Sequence, residues 1–174
     1  MESELIIKAV DNLWGQGVQQ REESIKYLQS MDPQEVLPIL KELLESDNLE
    51  RQSLAAQMLV ILAPSRIDEV LFLLDSPESW VRYNFCGFLI DYGYTHKRTI
   101  EILIRAASSD PDPNVRGIAC EALGWIGDVS CIDPLTEIAC YDEEINTHSE
   151  PIRNYAVRAL ATLARRFFRA TDSE

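Results

Sequence analysis

One spacing recurs along this 174-residue chain and limits what it can fold into: an arginine is followed seven residues later by leucine or methionine. Five occurrences form a repeat in which successive arginines lie 30 to 37 residues apart. The five pairs are Arg21 and Leu28, Arg51 and Met58, Arg82 and Leu89, Arg116 and Leu123, and Arg153 and Leu160. A repeat of this length is typical of stacked helix pairs, each of which buries its apolar face against its neighbours.

The residues between these arginines have helical periodicity. Stretches such as IDEVLFLL and VRGIACEALGWI place apolar residues at i, i+3, i+4 and i+7, the pattern of a helix with one buried face. Asp32-Pro33 and Asp110-Pro111 resemble helix starts, where the acid caps and the proline needs no N–H partner. We therefore predict an all-α fold, a right-handed α-solenoid of five antiparallel helix pairs. The ten predicted helices span 2–14, 18–30, 33–46, 49–62, 65–75, 78–92, 97–109, 113–127, 130–141 and 150–168.

These pairs account for almost the whole chain, so we predict a single domain over residues 1–174. No stretch is left that is long enough for a second domain. The chain is 46% hydrophobic, which is enough to bury a substantial core. The predicted repeat units span 2–30, 33–62, 65–92, 95–127 and 129–168, with a short C-terminal tail at 169–174.

The stretch DPDPNVRGIACEALGWIGDVSCIDPL, residues 110–135, resembles a HEAT repeat. A first helix ends in aspartate, and a second begins Val-Arg, with alanine three and leucine seven residues after the arginine. The stretch is most similar to the short HEAT-like repeats of phycobilin lyases and related bacterial proteins. The resemblance implies a non-catalytic scaffold or adaptor that binds a protein or peptide along its concave face. The alternative is a bilin lyase-like subunit or chromophore-handling chaperone that acts on phycobiliproteins.

The resemblance also implies that charged side chains hold the repeats in register. In HEAT proteins, aspartate and arginine side chains form a ladder between successive repeats. Asp112 is in addition expected to cap the second helix of its pair. The residues at the matching positions, and therefore the predicted ladder, are Asp47, Arg51, Glu78, Arg82, Asp112, Arg116 and Arg153.

The sequence contains no recognisable catalytic motif, and we predict no catalytic residue, metal site or cofactor. Its only histidines, His96 and His148, lie far apart and do not form ligand spacing. The iron-binding hydroxylase among HEAT-like proteins uses repeated His-Glu dipeptides, which are absent here. No serine or cysteine lies in a nucleophile motif. We therefore expect the chain not to be an enzyme, although lyase-type activity stays open.

The four cysteines are predicted to be reduced thiols in the core, because they form no Cys-x-x-Cys pair and lie in apolar helical stretches. They are Cys86, Cys120, Cys131 and Cys140. Reduced thiols fit a cytoplasmic protein best. The chain begins with an acidic segment and contains no apolar run of membrane-spanning length, so we expect neither a signal peptide nor a membrane partner.

The formal net charge of −13 argues against nucleic acid as a partner, because binding to phosphates requires many lysines and arginines. We expect a protein partner and a monomer or weak oligomer. The stretch 153–169 differs from the rest of the chain, since its charged residues are five arginines with no acid between them. These arginines either complement the helix dipole on a solvated face or form a docking site. They are Arg153, Arg158, Arg165, Arg166 and Arg169.

Second helices line the concave side of such arrays, and positions one, five and nine after each arginine form a row along that side. In the middle units this row contains Tyr83 and Trp125, which are either exposed anchors for a partner or part of the core. The insertion at 142–150 is either functional or a tolerated surface loop. The predicted partner-binding residues are Tyr83, Asn84, Asp91, Glu121, Trp125, Asn154 and Arg158.

Overall fold

The computed structural model describes residues 2–13, 17–92 and 95–171. In these residues the chain forms nine α-helices and no β-strand, which confirms the predicted all-α fold. The predicted helix end at residue 14 and tail residues 172–174 lie outside the described residues, and the last helix continues past residue 168. The helices are α1 (Glu2–Asp11), α2 (Val18–Ser30), α3 (Pro33–Leu44), α4 (Leu49–Leu62), α5 (Ser79–Asp91), α6 (Lys97–Ser109), α7 (Pro113–Ile126), α8 (Ile132–Tyr141) and α9 (Ile152–Thr171).

The α-helix predicted at 65–75 is wrong. The segment folds as 3₁₀ turns, and the amides of Val70 and Leu73 each donate to the carbonyl three residues earlier. Ile67, Val70 and Leu73 are buried, and their spacing of three matches the three residues per turn of a 3₁₀ helix. An α-helix buries the same residues, so the apolar pattern alone could not distinguish the two. The two turns span Pro64–Glu69 and Leu71–Asp75.

The chain groups into two compact units, Met1–Leu73 and Leu74–Glu174; the single domain stays a prediction. In the first unit, α1 packs against α2, α3 and α4, and α3 packs against α4. The core of this unit is aliphatic, as the apolar period predicts. Its fully buried residues include Ile6, Val10, Leu28, Leu40 and Met58.

The second unit has two layers of helices. The second helices of successive pairs, α5, α7 and α9, form one layer, in which α7 packs against both α5 and α9. The first helices, α6 and α8, form the other layer and pack against α7 and α9, respectively. Leu89 and Leu123, the leucines of the repeated spacing, are fully buried. We call α5, α7 and α9 the second-helix layer.

The bounds of α7 follow from its capping residues. The carboxylate of Asp112 accepts a hydrogen bond of 2.8 Å from the amide of Asn114, and Pro113 occupies the first helical position. At the other end, the amide of Gly127 donates to the carbonyl of Leu123. Asp112 thus makes the cap that its position in the sequence suggests.

α7 and α9 approach each other closely at Gly124. A Cβ atom at this position would lie 2.9 Å from the Cα atom of Ala159, which is too short for a real contact. Near this point, Nη1 of Arg166 donates to the carbonyl oxygens of Gly124 at 3.2 Å and Gly127 at 3.0 Å. Arg166 therefore satisfies carbonyls at the C-terminal end of α7, where a positive charge is favoured.

Three of the four cysteines are buried, as predicted, but the prediction is wrong for Cys140, which is exposed. α8 buries Leu135 and Ile138, and Cys140 lies two residues further along on the outer side. Burial raises the pKa of the Cys86 thiol and raises that of Cys120 to about 12. Both thiols are therefore protonated at neutral pH and are not activated nucleophiles.

No helix within the described ranges is long and apolar enough to cross a membrane.

The close approach at Gly124 predicts that two glycine substitutions change stability in opposite directions. Gly124→Ala forces α7 and α9 apart, and we expect it to lower the free energy of unfolding by about 1–3 kcal/mol. Gly87→Ala is the matched control, because no atom lies within 4 Å of a Cβ at this position in α5. Alanine at this helical position should raise the free energy of unfolding by about 0.5–1 kcal/mol. Chemical denaturation measures both, and a stabilised Gly124→Ala variant would contradict the close approach.

Candidate functional site

Buried ion pairs connect successive helix pairs in the second unit. Arg82 of α5 makes a two-pronged contact with Asp110, the residue that ends α6, and both N–O distances are 2.7 Å. The side chains of Arg82 and Asp110 are only 9% and 5% exposed. Arg82 also donates to the backbone carbonyls of Ser76 and Pro77. The guanidinium therefore binds α6 and the chain segment before α5 at once.

The next unit repeats this arrangement. Nε of Arg116 in α7 donates to Asp142, the residue that ends α8, at 2.8 Å. Its other nitrogens donate to the carboxylate of Glu144 at 2.6 Å and to the backbone carbonyl of Asp110 at 2.9 Å. In both units, the arginine of a second helix pairs with the aspartate that ends the following first helix.

The remaining residues of the predicted ladder lie in different environments. Arg51 pairs with Asp11 at the end of α1 by two bonds of 2.8 Å, and Arg153 pairs with Glu143 at 3.1 Å. Asp47 is exposed in the bend before α4, which Asn48 caps instead. Glu78 precedes α5, and its side chain makes no capping bond. The carboxylates that bind Arg82 and Arg116 are thus Asp110 for the first and Asp142 and Glu144 for the second, none of which the predicted ladder includes.

Because Asp110 is buried, we predict that Arg82→Ala lowers the free energy of unfolding by about 3 kcal/mol, as the carboxylate is left without its partner. Arg105→Ala is the matched control, because Arg105 also pairs with an aspartate about one repeat away, Asp75, but the two side chains are 58% and 62% exposed. Its loss should cost less than about 1 kcal/mol. Urea denaturation of the two variants measures the difference, and equal losses would contradict a special role for the buried pair.

A groove of about 240 Å³ lies between α7 and α9 in the second-helix layer. Trp125 is 54% exposed and lies in this groove, so its side chain is not part of the core. An indole that is half exposed in a groove offers a large apolar surface to a ligand. The groove is lined by Glu121 and Trp125 of α7 and by Tyr155, Arg158, Thr162 and Arg165 of α9.

Tyr155 forms one end of the groove, and contacts to its ring and to its hydroxyl hold it in position. Its ring lies over Gly117, where a Cβ would be 3.5 Å from three ring carbons. The guanidinium of Arg158 lies over the ring, with Cζ 4.4 Å from the ring centroid. The hydroxyl accepts a bond of 2.8 Å from Nδ2 of Asn146. Tyr155 is therefore a firmly held side chain in the lining of the groove that also contains Trp125.

The insertion at 142–150 is an ordered loop that supports this end of the groove. Asn146 is buried, and its Oδ1 accepts bonds from the amides of His148 and Glu150. The carboxylate of Glu150 pairs with Arg158, and this ion pair lowers the pKa of Glu150. Thr147 donates to the side chain of Asn114 in α7. The loop thus contacts both helices: Thr147 bonds α7, and Asn146 and Glu150 bond α9.

The structure brings together three of the seven predicted partner-binding residues: Glu121, Trp125 and Arg158 line the groove. Asn154 lies one turn before Arg158 and is exposed. The other three are on α5, outside the groove, where Tyr83 is 39% exposed and Asp91 is exposed. They are Tyr83, Asn84 and Asp91.

Sequence reasoning did not select Tyr155 or Arg165 as groove residues. Tyr155 lies two residues after Arg153, outside the row at positions one, five and nine. The available signal was Gly117, over which the ring of Tyr155 lies, with room for no more than ordinary contact to a Cβ. Arg165 appeared only as one of the arginines of the last helix, without an assignment to the groove.

Among the residues that the structure describes, no group of three or more histidine, cysteine, aspartate or glutamate side chains is placed to hold a metal ion.

The fold and the arginine–aspartate pairs define the class of protein: helix pairs stacked in a repeat, with side-chain ion pairs between successive pairs. The family model for HEAT repeats matches residues 67–161, which is more than half of the chain. The chain therefore belongs to the HEAT-repeat family. No curated protein was found that matches it.

Proposed function

We propose that this chain is a non-catalytic HEAT-repeat scaffold or adaptor that binds a protein or peptide partner in the groove between α7 and α9. HEAT repeats generally mediate protein interactions, and arrays of helix pairs bind their partners along the surface of such a layer. The observation that carries the proposal is Trp125, a half-exposed indole in the groove between α7 and α9.

The chemistry of the groove supports binding rather than catalysis. Its aromatic side chains provide apolar contact area, and Glu121, Arg158 and Arg165 provide a polar rim. An apolar centre with a polar rim is the usual organisation of a protein interface, in which a few aromatic and arginine residues contribute most of the binding energy. Of the groove residues, only Glu121 carries a carboxylate, and none is a thiol or an imidazole.

We further propose that a longer partner extends from the groove onto α5, where it contacts Tyr83, Asn84 and Asp91. α5 packs directly against α7 in the second-helix layer. A Cβ at Gly87 would meet no atom within 4 Å, so the surface beside Tyr83 is open. In this proposal Trp125 is the central anchor, and Tyr83 lies at the edge of the interface.

The experiment is affinity capture from a native lysate with tagged wild-type protein and tagged Trp125→Ala. A half-exposed anchor costs the fold little when truncated, but it costs the interface about 2 kcal/mol, which is roughly a thirtyfold loss in affinity. We expect the specifically captured protein to be lost or strongly reduced with Trp125→Ala, while the melting midpoint stays nearly unchanged.

Tyr141→Ala is the matched control, since Tyr141 is an exposed aromatic residue on α8, outside the second-helix layer. It should capture the same protein as the wild type. Unchanged capture by Trp125→Ala would contradict the proposal, and so would equal losses in the two variants.

The alternative of a bilin lyase or chromophore-handling subunit has no observation of its own in its favour and stays a prediction, as do the cytoplasmic location and the monomeric or weakly oligomeric state.

A further inference from the structure

The charges in the α7–α9 groove are unevenly distributed along its length. At the end near Tyr155, Arg158 pairs with Glu150, and Glu121 lies close enough to raise the pKa of Arg158 further. Two carboxylates therefore surround a single guanidinium. This end of the groove has no positive charge left for a ligand.

At the other end, Arg165 lines the groove and Arg166 follows it in α9, and neither has an acidic partner within the described part of the chain. Nε of Arg165 donates to the backbone carbonyl of Ala161 at 3.3 Å, and its Nη2 donates to the hydroxyl of Thr162 at 3.2 Å. Arg166 donates to the backbone carbonyls of Gly124 and Gly127. The bonds of Arg165 are long and lie within its own helix, so its exposed guanidinium is free to turn toward a ligand.

Arg165 lines the groove together with Trp125, in a protein of net charge −13. The chain as a whole repels an acidic segment, so an acidic partner is attracted to this site and is disfavoured over most of the remaining surface. A basic segment is instead attracted to the many acidic residues elsewhere on the surface and is repelled by the arginine of the groove. Charge thus selects one kind of partner for this groove.

We propose that the partner segment in this groove is an acidic peptide with an apolar side chain, which rests on Trp125 while a neighbouring carboxylate pairs with Arg165. This inference rests on the proposed function and specifies the chemistry of its partner. The carboxylate replaces the two long bonds that Arg165 makes within α9 by a charge-assisted contact. The apolar side chain covers the exposed part of the indole between Glu121 and Thr162. The balanced charges at the Tyr155 end and the guanidinium of Arg165 at the other end orient the peptide along the groove.

The test uses fluorescence anisotropy with short labelled peptides that share a central phenylalanine and differ only at the flanking positions, which are glutamate, glutamine or lysine. We expect the glutamate peptide to bind most tightly, and its affinity to fall as salt is added, because exposed charges are screened. Trp125→Ala should weaken its binding roughly thirtyfold. Arg165→Ala should weaken it about fivefold, and Arg165→Lys should restore part of the loss.

Lys97→Ala is the control for net charge, because it removes an exposed cation on α6, outside the groove. It should leave the affinity for the glutamate peptide nearly unchanged. Melting curves of all variants show whether an effect comes from unfolding, which is not expected for Arg165, since its bonds stay within one helix.

Three results would overturn the inference and still leave the proposed function standing. One is equal binding of the glutamate and glutamine peptides with no effect of Arg165→Ala. Another is a preference for the lysine peptide. The third is that none of the peptides binds, although capture of a protein from the lysate still depends on Trp125. If capture is also independent of Trp125, the proposed function fails as well.

Discussion

The buried ion pair between a second helix and the end of the following first helix is the contact on which the second unit depends. Arg82 with Asp110 and Arg116 with Asp142 are the same contact in successive repeats. Each guanidinium also binds backbone carbonyls, so it fixes where one helix pair lies relative to the next. Because a buried charge is costly without its partner, any arrangement that separates the two side chains is disfavoured, and the contact therefore favours this register.

The register of successive helix pairs in turn creates the groove, because it places α7 and α9 side by side. The missing side chain of Gly124 lets the two helices approach each other. Arg166 donates hydrogen bonds to backbone carbonyls at the C-terminal end of α7. Tyr155 packs on Gly117, and Asn146 of the ordered loop holds its hydroxyl. The second-helix layer thus presents Trp125 on a rigid support, which is what an anchor residue needs in order to bind a partner without a large loss of entropy.

The spacing of arginine and leucine was sufficient to predict the all-α fold and the approximate bounds of most helices, because burial of one helical face leaves a strong periodic signal. It failed at 65–75, where a spacing of three satisfies both α and 3₁₀ geometry. The sequence indicated Trp125 and Arg158 but not Tyr155, because its place depends on Gly117 of another helix and on a folded loop. The pairing of Asp110 with Arg82 and of Asp142 with Arg116 was likewise not predicted, since each arginine lies in the preceding repeat.

Hydroxyl-radical footprinting of the complex with the captured partner tests the central claim, that the α7–α9 groove is the binding site, most directly. Oxidation of Trp125, Tyr155 and Tyr141 is read by mass spectrometry with and without the partner. Trp125 and Tyr155 line the groove, and Tyr141 is exposed on α8. The account predicts that oxidation of Trp125 and Tyr155 falls when the partner binds, while that of Tyr141 does not change. Protection of Tyr141 with undiminished oxidation of Trp125 would contradict it.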